Sequence, residues 1–205
     1  MDPNLAKRAL ESGLNRLIKA EPDITRYDTE VGDGDCGIGL KRGAEAILKL
    51  INNKQTDDAA LFLANIIQTV ENTMDGTSGA LYAIFLNALA HGLRSQSPES
   101  PTDATVEVWA KALQSSLDAL GKYTPAQPGD RTLMDALHPF IETLMKEKDV
   151  RKAAEAASEG AKNTKGMKAS LGRTVYMGGE GWQGVPDPGA HGLAEFLLGL
   201  SEGLQ

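Results

Sequence analysis

The chain has 205 residues and one cysteine, Cys36. A single thiol excludes an intramolecular disulfide framework and a thiolate-rich zinc site, and it points to a reducing compartment, the cytoplasm. Aromatic residues are only 5% of the chain, so a core must be built from Leu, Ala, Ile and Met, which favours helices. No apolar run approaches the ~18 residues that would suggest a membrane span. The opening MDPNLAKRALESG has no apolar stretch of signal length. Basic residues are short as well: 21 Lys and Arg face 28 Asp and Glu, a net charge of −7, with no basic block. Such a chain is a poor binder of nucleic acid or an anionic membrane. It must import positive charge locally if it handles phosphates.

Apolar residues at 41% and charged residues at 24% are sufficient for one globular domain. Leu5, Leu10, Leu14, Leu17 and Ile18 recur at the helical period over residues 4–20, and Pro22 is expected to end that helix. Residues 23–36 are polar, glycine-containing and aperiodic, and so read as a loop. Helical spacing resumes over 38–51 and 57–70. Residues 79–93, GALYAIFLNALAHGL, are apolar nearly all round and predict a central buried helix. A Ser/Pro/Glu linker covers 95–102. Further helices are expected over 105–120, 132–146, 150 to about 168, and 191–203, with a glycine-rich tract over 171–190. These are about eight helices, with no convincing strand and no internal repeat, so the fold class is all-α in a single domain.

The most unusual segment is Asp28-Thr-Glu-Val-Gly32-Asp33-Gly34-Asp35-Cys36-Gly37, with four carboxylates in eight residues. Carboxylates this dense repel one another unless a cation sits among them, and hard oxygen ligands on glycine hinges suit Mg²⁺ or Ca²⁺. The spacing lacks the closing glutamate of an EF-hand. Mg²⁺ takes few protein carboxylates and completes its shell with water and phosphate oxygens, which makes a nucleotide polyphosphate the natural co-ligand. A solvated acidic turn that caps the next helix is the competing reading.

Three more glycine-containing segments accompany it. Gly76-Thr77-Ser78-Gly79 opens the apolar helix, where backbone N–H groups can receive an anion, or where a hydroxyl simply caps the helix. Gly129-Asp130-Arg131-Thr132 precedes another helix; Thr132 is a plausible cap, and Asp130 and Arg131 can pair on the surface. The tract from Gly172-Arg173 to Asp187-Pro188-Gly189 is long enough to be functional or disordered. Arg173 suits bidentate phosphate contact, while Tyr176 and Trp182 can stack on a base or close the loop. His91, His138 and His191 have no ligand spacing and read as structural or exposed. There is no Walker A sequence, nucleophile elbow or Ser/His/Asp signature. Cys36 sits among carboxylates that disfavour its thiolate, so it is no nucleophile.

Taken in order, Asp28-x₄-Asp33-Gly34-Asp35-Cys36-Gly37, Gly76-Thr77-Ser78-Gly79-Ala80-Leu81-Tyr82, Gly129-Asp130-Arg131-Thr132 and Asp187-Pro188-Gly189 resemble the nucleotide-binding L domain of dihydroxyacetone kinases, over nearly the whole chain. The resemblance implies that residues 1–205 form one antiparallel eight-helix barrel with a nucleotide, ATP or ADP, across one end. It implies two Mg²⁺ ions held by Asp28, Asp33 and Asp35. Cys36, Gly37, Ile38 and Gly39 would cradle phosphate through the backbone, and Thr77 and Ser78 would bind it at a helix start. Gly121, Thr132 and Leu133 would line the nucleotide, Arg173 would sit beside it, and Asp187, Pro188 and Gly189 would contact base or ribose. The family often has Met where this chain has Leu133, and Gly-Arg-Ala-Ser-Tyr where it has Gly172-Arg173-Thr174-Val175-Tyr176.

The resemblance assigns no catalytic side chain here. The acceptor, dihydroxyacetone or glyceraldehyde, would be held by a separate K domain, in the same or another chain. The Ile24-Thr25-Arg26-Tyr27-Asp28 lead-in and Cys36 look more like the ATP-dependent two-domain enzymes. The alternatives are an ADP-retaining subunit of a phosphotransferase-dependent kinase and a non-catalytic nucleotide- or lipid-binding scaffold. Some two-domain relatives also cyclise a flavin nucleotide, and the family barrel can enclose a lipid.

Overall fold

The computed structural model describes residues 3–53, 59–96, 105–176 and 183–205. Its first helix, α1 (Pro3–Val31), runs straight through the proline expected to stop it. A proline inside a helix costs roughly 3 kcal/mol. Beyond it, Ile24 and Val31 are 0% and 2% exposed. Each fully buried aliphatic side chain contributes about 1.5–3 kcal/mol, so continuing the helix outweighs the local penalty. The loop expected over 23–36 therefore shrinks to the turn between α1 and α2 (Cys36–Asn53), and Asp28 belongs to the last turns of α1.

The remaining helices are α3 (Ala59–Thr73), α4 (Gly76–Gln96), α5 (Val106–Leu120), α6 (Met134–Glu147), α7 (Val150–Asn163) and α8 (Pro188–Gly203), with no strand among the described residues. α7 stops short of residue 168 because the Thr164 hydroxyl donates to the Ala161 carbonyl at 2.6 Å, and a left-handed Gly166 follows. α8 starts earlier than His191, with Asp187 as its N-cap and Pro188 in the first turn. The linker expected over 95–102 is helical to Gln96, and its remainder lies outside the described residues.

Each helix packs on the next, and α8 returns to α1, so the row closes into a helical barrel. One part of the core joins α1, α2 and α3 through Leu14, Leu17, Ile24, Leu40, Ile47 and Ile66. Another joins α5–α8 through Leu120, Leu137, Phe140, Ile141 and Leu197, with alanines of α7. Tyr82 of α4 and Phe196 of α8 pack against both. The central buried position expected for residues 79–93 is not what forms. A closed ring has no central helix: α4 sits between α3 and α5, and residues 81–86 are only half-buried.

The seam between α1 and α8 is close in backbone terms. A Cβ at Gly199 would stand 2.7 Å from the Ser12 carbonyl oxygen, and one at Gly203 would stand 2.6 Å from the Ala9 Cα. Arg8 Nε donates to the Gly203 carbonyl at 2.9 Å. Arg16 spans the seam to Glu195 at 2.8 Å and Glu202 at 2.6 Å.

Ring order also positions the site. In an up-and-down ring the C-termini of α1, α3, α5 and α7 and the N-termini of α2, α4, α6 and α8 lie at one end. Each of the four glycine-containing segments singled out from the sequence lies at one of these odd-to-even turns.

Candidate functional site

Four helix N-termini at one end give a net-acidic chain its local positive charge. The first N–H groups of a helix have no intrahelical partner and carry the positive end of its dipole. The α2 start is closed against α1, since a Cβ on Gly37 would come within 2.8 Å of the Glu21 carbonyl oxygen and the Thr25 nitrogen. Gly39, about half a turn further round, faces open space, and Ile38 is exposed.

The carboxylates gather there. Asp28, on α1, is buried, and its Oδ2 accepts from the Cys36 amide at 2.9 Å, so it caps α2 from the preceding helix. Gly34, at φ +78°, makes the left-handed turn that returns the chain; only glycine takes that conformation without cost. Asp28, Asp33 and Asp35 each offer one oxygen, and these oxygens lie within 4.8 Å of one another. The Asp35 carboxyl is held above the usual carboxylate range, first by burial and then by the charges of Asp33 and Asp28. Three hard oxygen donors under mutual repulsion fit a divalent cation. The Arg173 guanidinium, from the 3₁₀ turn Arg173–Tyr176, donates to the Asp33 carboxylate across the ring end. Burial pushes the Cys36 thiol far up, with Asp28 the next cause, so it stays protonated at neutral pH.

A second cluster lies beside the cage. Asp187 caps α8 through its Oδ2 and the Ala190 amide at 2.8 Å, and its own amide donates to Thr164 Oγ1 at 2.7 Å. Burial pushes its carboxyl up to about 6. Burial also raises the Tyr82 phenol, with nearby Cys36 and Asp187 the lesser causes. Asp135 of α6 accepts from Gly129 N at 2.6 Å and Thr132 N at 2.8 Å. Thr132 Oγ1 accepts from Met134 N at 3.2 Å, but the N-cap of α6 is Leu133, one residue later than the cap expected.

The surface pair expected between Asp130 and Arg131 does not form. Asp130 accepts from Ser170 and the Gln127 amide, whereas Arg131 turns inward and is 2% exposed. Its Nη2 donates to the Val185 carbonyl at 2.9 Å, and its Nη1 lies 3.8 Å from Asp187. Its backbone is left-handed at φ 59°, which costs a non-glycine residue about 1–2 kcal/mol. The GDRT motif was legible, but nothing local in it points Arg131 inward.

Direct contacts thus join Asp28 with Cys36, Asp33 with Arg173, and Arg131 with Asp187. Gly189 packs on Leu133, since a Cβ there would stand 3.8 Å from that of Leu133. Thr77 and Ser78 occupy the first turn of α4, and Gly121 closes α5. Among the described residues no hydrogen bond or ion pair ties these three to the cage. Tyr176 is 88% exposed and stacks on no ring among the described residues, and Trp182 lies outside them. His191 is half-buried with its ring edge-on to Tyr27, and His91 is exposed.

Comparison with known proteins identifies the family and the fold. Residues 30–202 match the DAK2 domain family model. The chain is 46% identical over 201 residues to dihydroxyacetone kinase 2 of Saccharomyces cerevisiae, covering 94% of this chain and 34% of that one. It is 43% identical over 211 residues to the dihydroxyacetone kinase of Komagataella pastoris, covering 98% of this chain and 35% of that one. The crystal structure of the dihydroxyacetone kinase from C. freundii in complex with AMP-PNP and Mg²⁺ superposes with a TM-score of 0.77 at 29% identity, over 98% of this chain and 34% of that one. The chain spans about a third of the length of the relatives it matches. With the family model matched over most of its length, the chain belongs to the DAK2 domain family.

Proposed function

We propose that residues 1–205 are the nucleotide-binding L domain of a dihydroxyacetone kinase, which binds ATP with Mg²⁺ and donates the γ-phosphate to dihydroxyacetone or glyceraldehyde held by a separate K domain. The observation that carries this is the three-carboxylate cage at the end where four helix N-termini converge. The relatives support it: they are named dihydroxyacetone kinases, and about two thirds of their length lies beyond the matched region, room for a substrate-binding part.

Asp28, Asp33 and Asp35 would hold up to two ions. Bound Mg²⁺ supplies neutralisation of phosphate charge, which is most of what phosphoryl transfer asks of a protein. The chain's own groups do the positioning. Among the first-turn amides of α2 and α4, those of Gly37, Ile38, Thr77 and Ser78 receive phosphate oxygens; the Cys36 and Gly39 amides, also expected in this cradle, already donate to Asp28 Oδ2 and the Asp35 carbonyl at 2.9 Å each. Arg173 exchanges its Asp33 partner for a phosphate. Gly121, Thr132, Leu133 and Asp187 to Gly189 line the nucleoside. We assign no general base to this chain, so the base and the acceptor would come from the K domain.

Calorimetry with AMP-PNP and Mg²⁺ tests the assignment. Binding is expected for the chain and abolished in Asp33→Asn with helicity unchanged by circular dichroism; unchanged binding overturns the metal assignment. Transfer to dihydroxyacetone is expected only once a K domain is added, and robust turnover by this chain alone overturns the division of labour. Mass spectrometry of nucleotide released from the purified chain separates an ATP-exchanging domain from one that retains ADP.

A further inference from the structure

Arg131 is a buried guanidinium that the proposed chemistry does not use. It sits at 0% side-chain exposure between the turn that opens α6 and the turn that opens α8. Its backbone belongs to the first turn, where Asp135 clamps the amides of Gly129 and Thr132 on either side of it. Its side chain belongs to the second: Nη2 bonds the Val185 carbonyl at 2.9 Å, and Nη1 faces the Asp187 carboxylate at 3.8 Å. Asp187 in turn caps α8, and Gly189 packs on Leu133.

Among the described residues, Nε and Nη1 have no hydrogen-bond acceptor. A buried guanidinium with unpaired donors is costly, and an apolar side chain of similar size generally serves stability as well or better. Its left-handed backbone adds to that cost. Stability alone therefore does not account for arginine at this position, whereas geometry does. Only a long, forked cation reaches from the α6 turn to both a carbonyl and a carboxylate in the α8 turn.

We propose that Arg131 is a positioning residue that locks the Gly129–Leu133 and Val185–Gly189 turns into one unit, so that the α6 and α8 starts meet the nucleoside in a fixed relation. The inference rests on the nucleotide-binding reading above. It assigns Arg131 no contact with the ligand.

The test uses the chain with Arg131→Met and Arg131→Lys. Arg131→Met is expected to speed amide hydrogen exchange at both helix starts, at Thr132 and at Ala190, by about tenfold or more. The same variant should weaken AMP-PNP binding by about tenfold, while Mn²⁺ affinity at the carboxylate cage, which lies outside the unit, stays within about twofold. Arg131→Lys restores part of the affinity, because an ammonium reaches one acceptor but not both. A merely stabilising role shifts the melting temperature without this pattern. Wild-type exchange at Ala190 together with wild-type affinity in Arg131→Met overturns the proposal, as does parallel loss of Mn²⁺ binding. If Arg131→Met does not fold, a cycle of Arg131→Lys with Asp187→Asn decides it: non-additive losses of affinity support the lock, and additive ones refute it. If the wild-type chain binds no AMP-PNP, the nucleotide reading fails, and exchange at the two helix starts still decides the coupling.

Discussion

Asp35 shows at a single residue what the cage costs. Its carboxyl is held above the usual range by burial and by Asp33 and Asp28. A carboxyl raised in the folded state costs stability at any pH above its unfolded value, because folding then confines a charge that the site disfavours. Asp35→Asn is therefore expected to raise the melting temperature of the metal-free chain at pH 7 while weakening Mn²⁺ binding more than about tenfold. A lower melting temperature would mean that the carboxylates are not in conflict. Asp187 behaves likewise and has a definite window. Its pKa rises from 3.8 to about 6, so between those values the folded chain keeps a proton that the unfolded chain has lost. Stability should fall as pH rises through that window, by on the order of 3 kcal/mol. Asp187→Asn, which keeps an acceptor for Ala190, should flatten the melting profile there. The three aspartates were legible because their crowding is local in the chain. Arg131 was not, because its partners Val185 and Asp187 lie more than fifty residues away.

At the scale of elements, burial decides where propensity misleads. Pro22 marks a helix end by local rules, yet α1 continues because Ile24 and Val31 beyond it reach the core. Uniform apolarity suggested that α4 is central, but a ring has no centre for a helix to fill. The α1–α8 seam offers the sharpest check. Alanine is a better helix former than glycine by about 1 kcal/mol. At Gly199, however, the added carbon would stand 2.7 Å from a backbone oxygen and 2.9 Å from the Gly13 Cα. Overpacking of that kind costs about 1–3 kcal/mol, so Gly199→Ala should lower the melting temperature by roughly 2–12 °C. Gly39→Ala, facing open space, should not lower it. Equal behaviour of the two variants would show that the seam is looser than described.

At the scale of the whole molecule, closure of the ring makes one surface from four separate connections. A ligand bound there reports on global stability. Mg²⁺ with AMP-PNP at about a hundred times Kd should add about 2.7 kcal/mol, or roughly 5–11 °C in a chain of this size. Chelation should remove the gain, and Asp33→Asn should show none; an equal shift in that variant would place the ligand elsewhere. The net charge of −7 is no obstacle, because the field at this end is set by helix termini and a bound cation rather than by the total.

The amino-acid sequence by itself determined the helices, the three-aspartate cluster and the family resemblance. Helical period, turn residues and carboxylate spacing are all properties of short windows. Only the tertiary structure decided that α1 passes Pro22, that α4 lies in a wall, and that Arg131 turns inward to the α8 turn. Each of these depends on what a residue packs against after the ring closes. Burial free energy belongs to pairs distant in sequence, and no local pattern contains it.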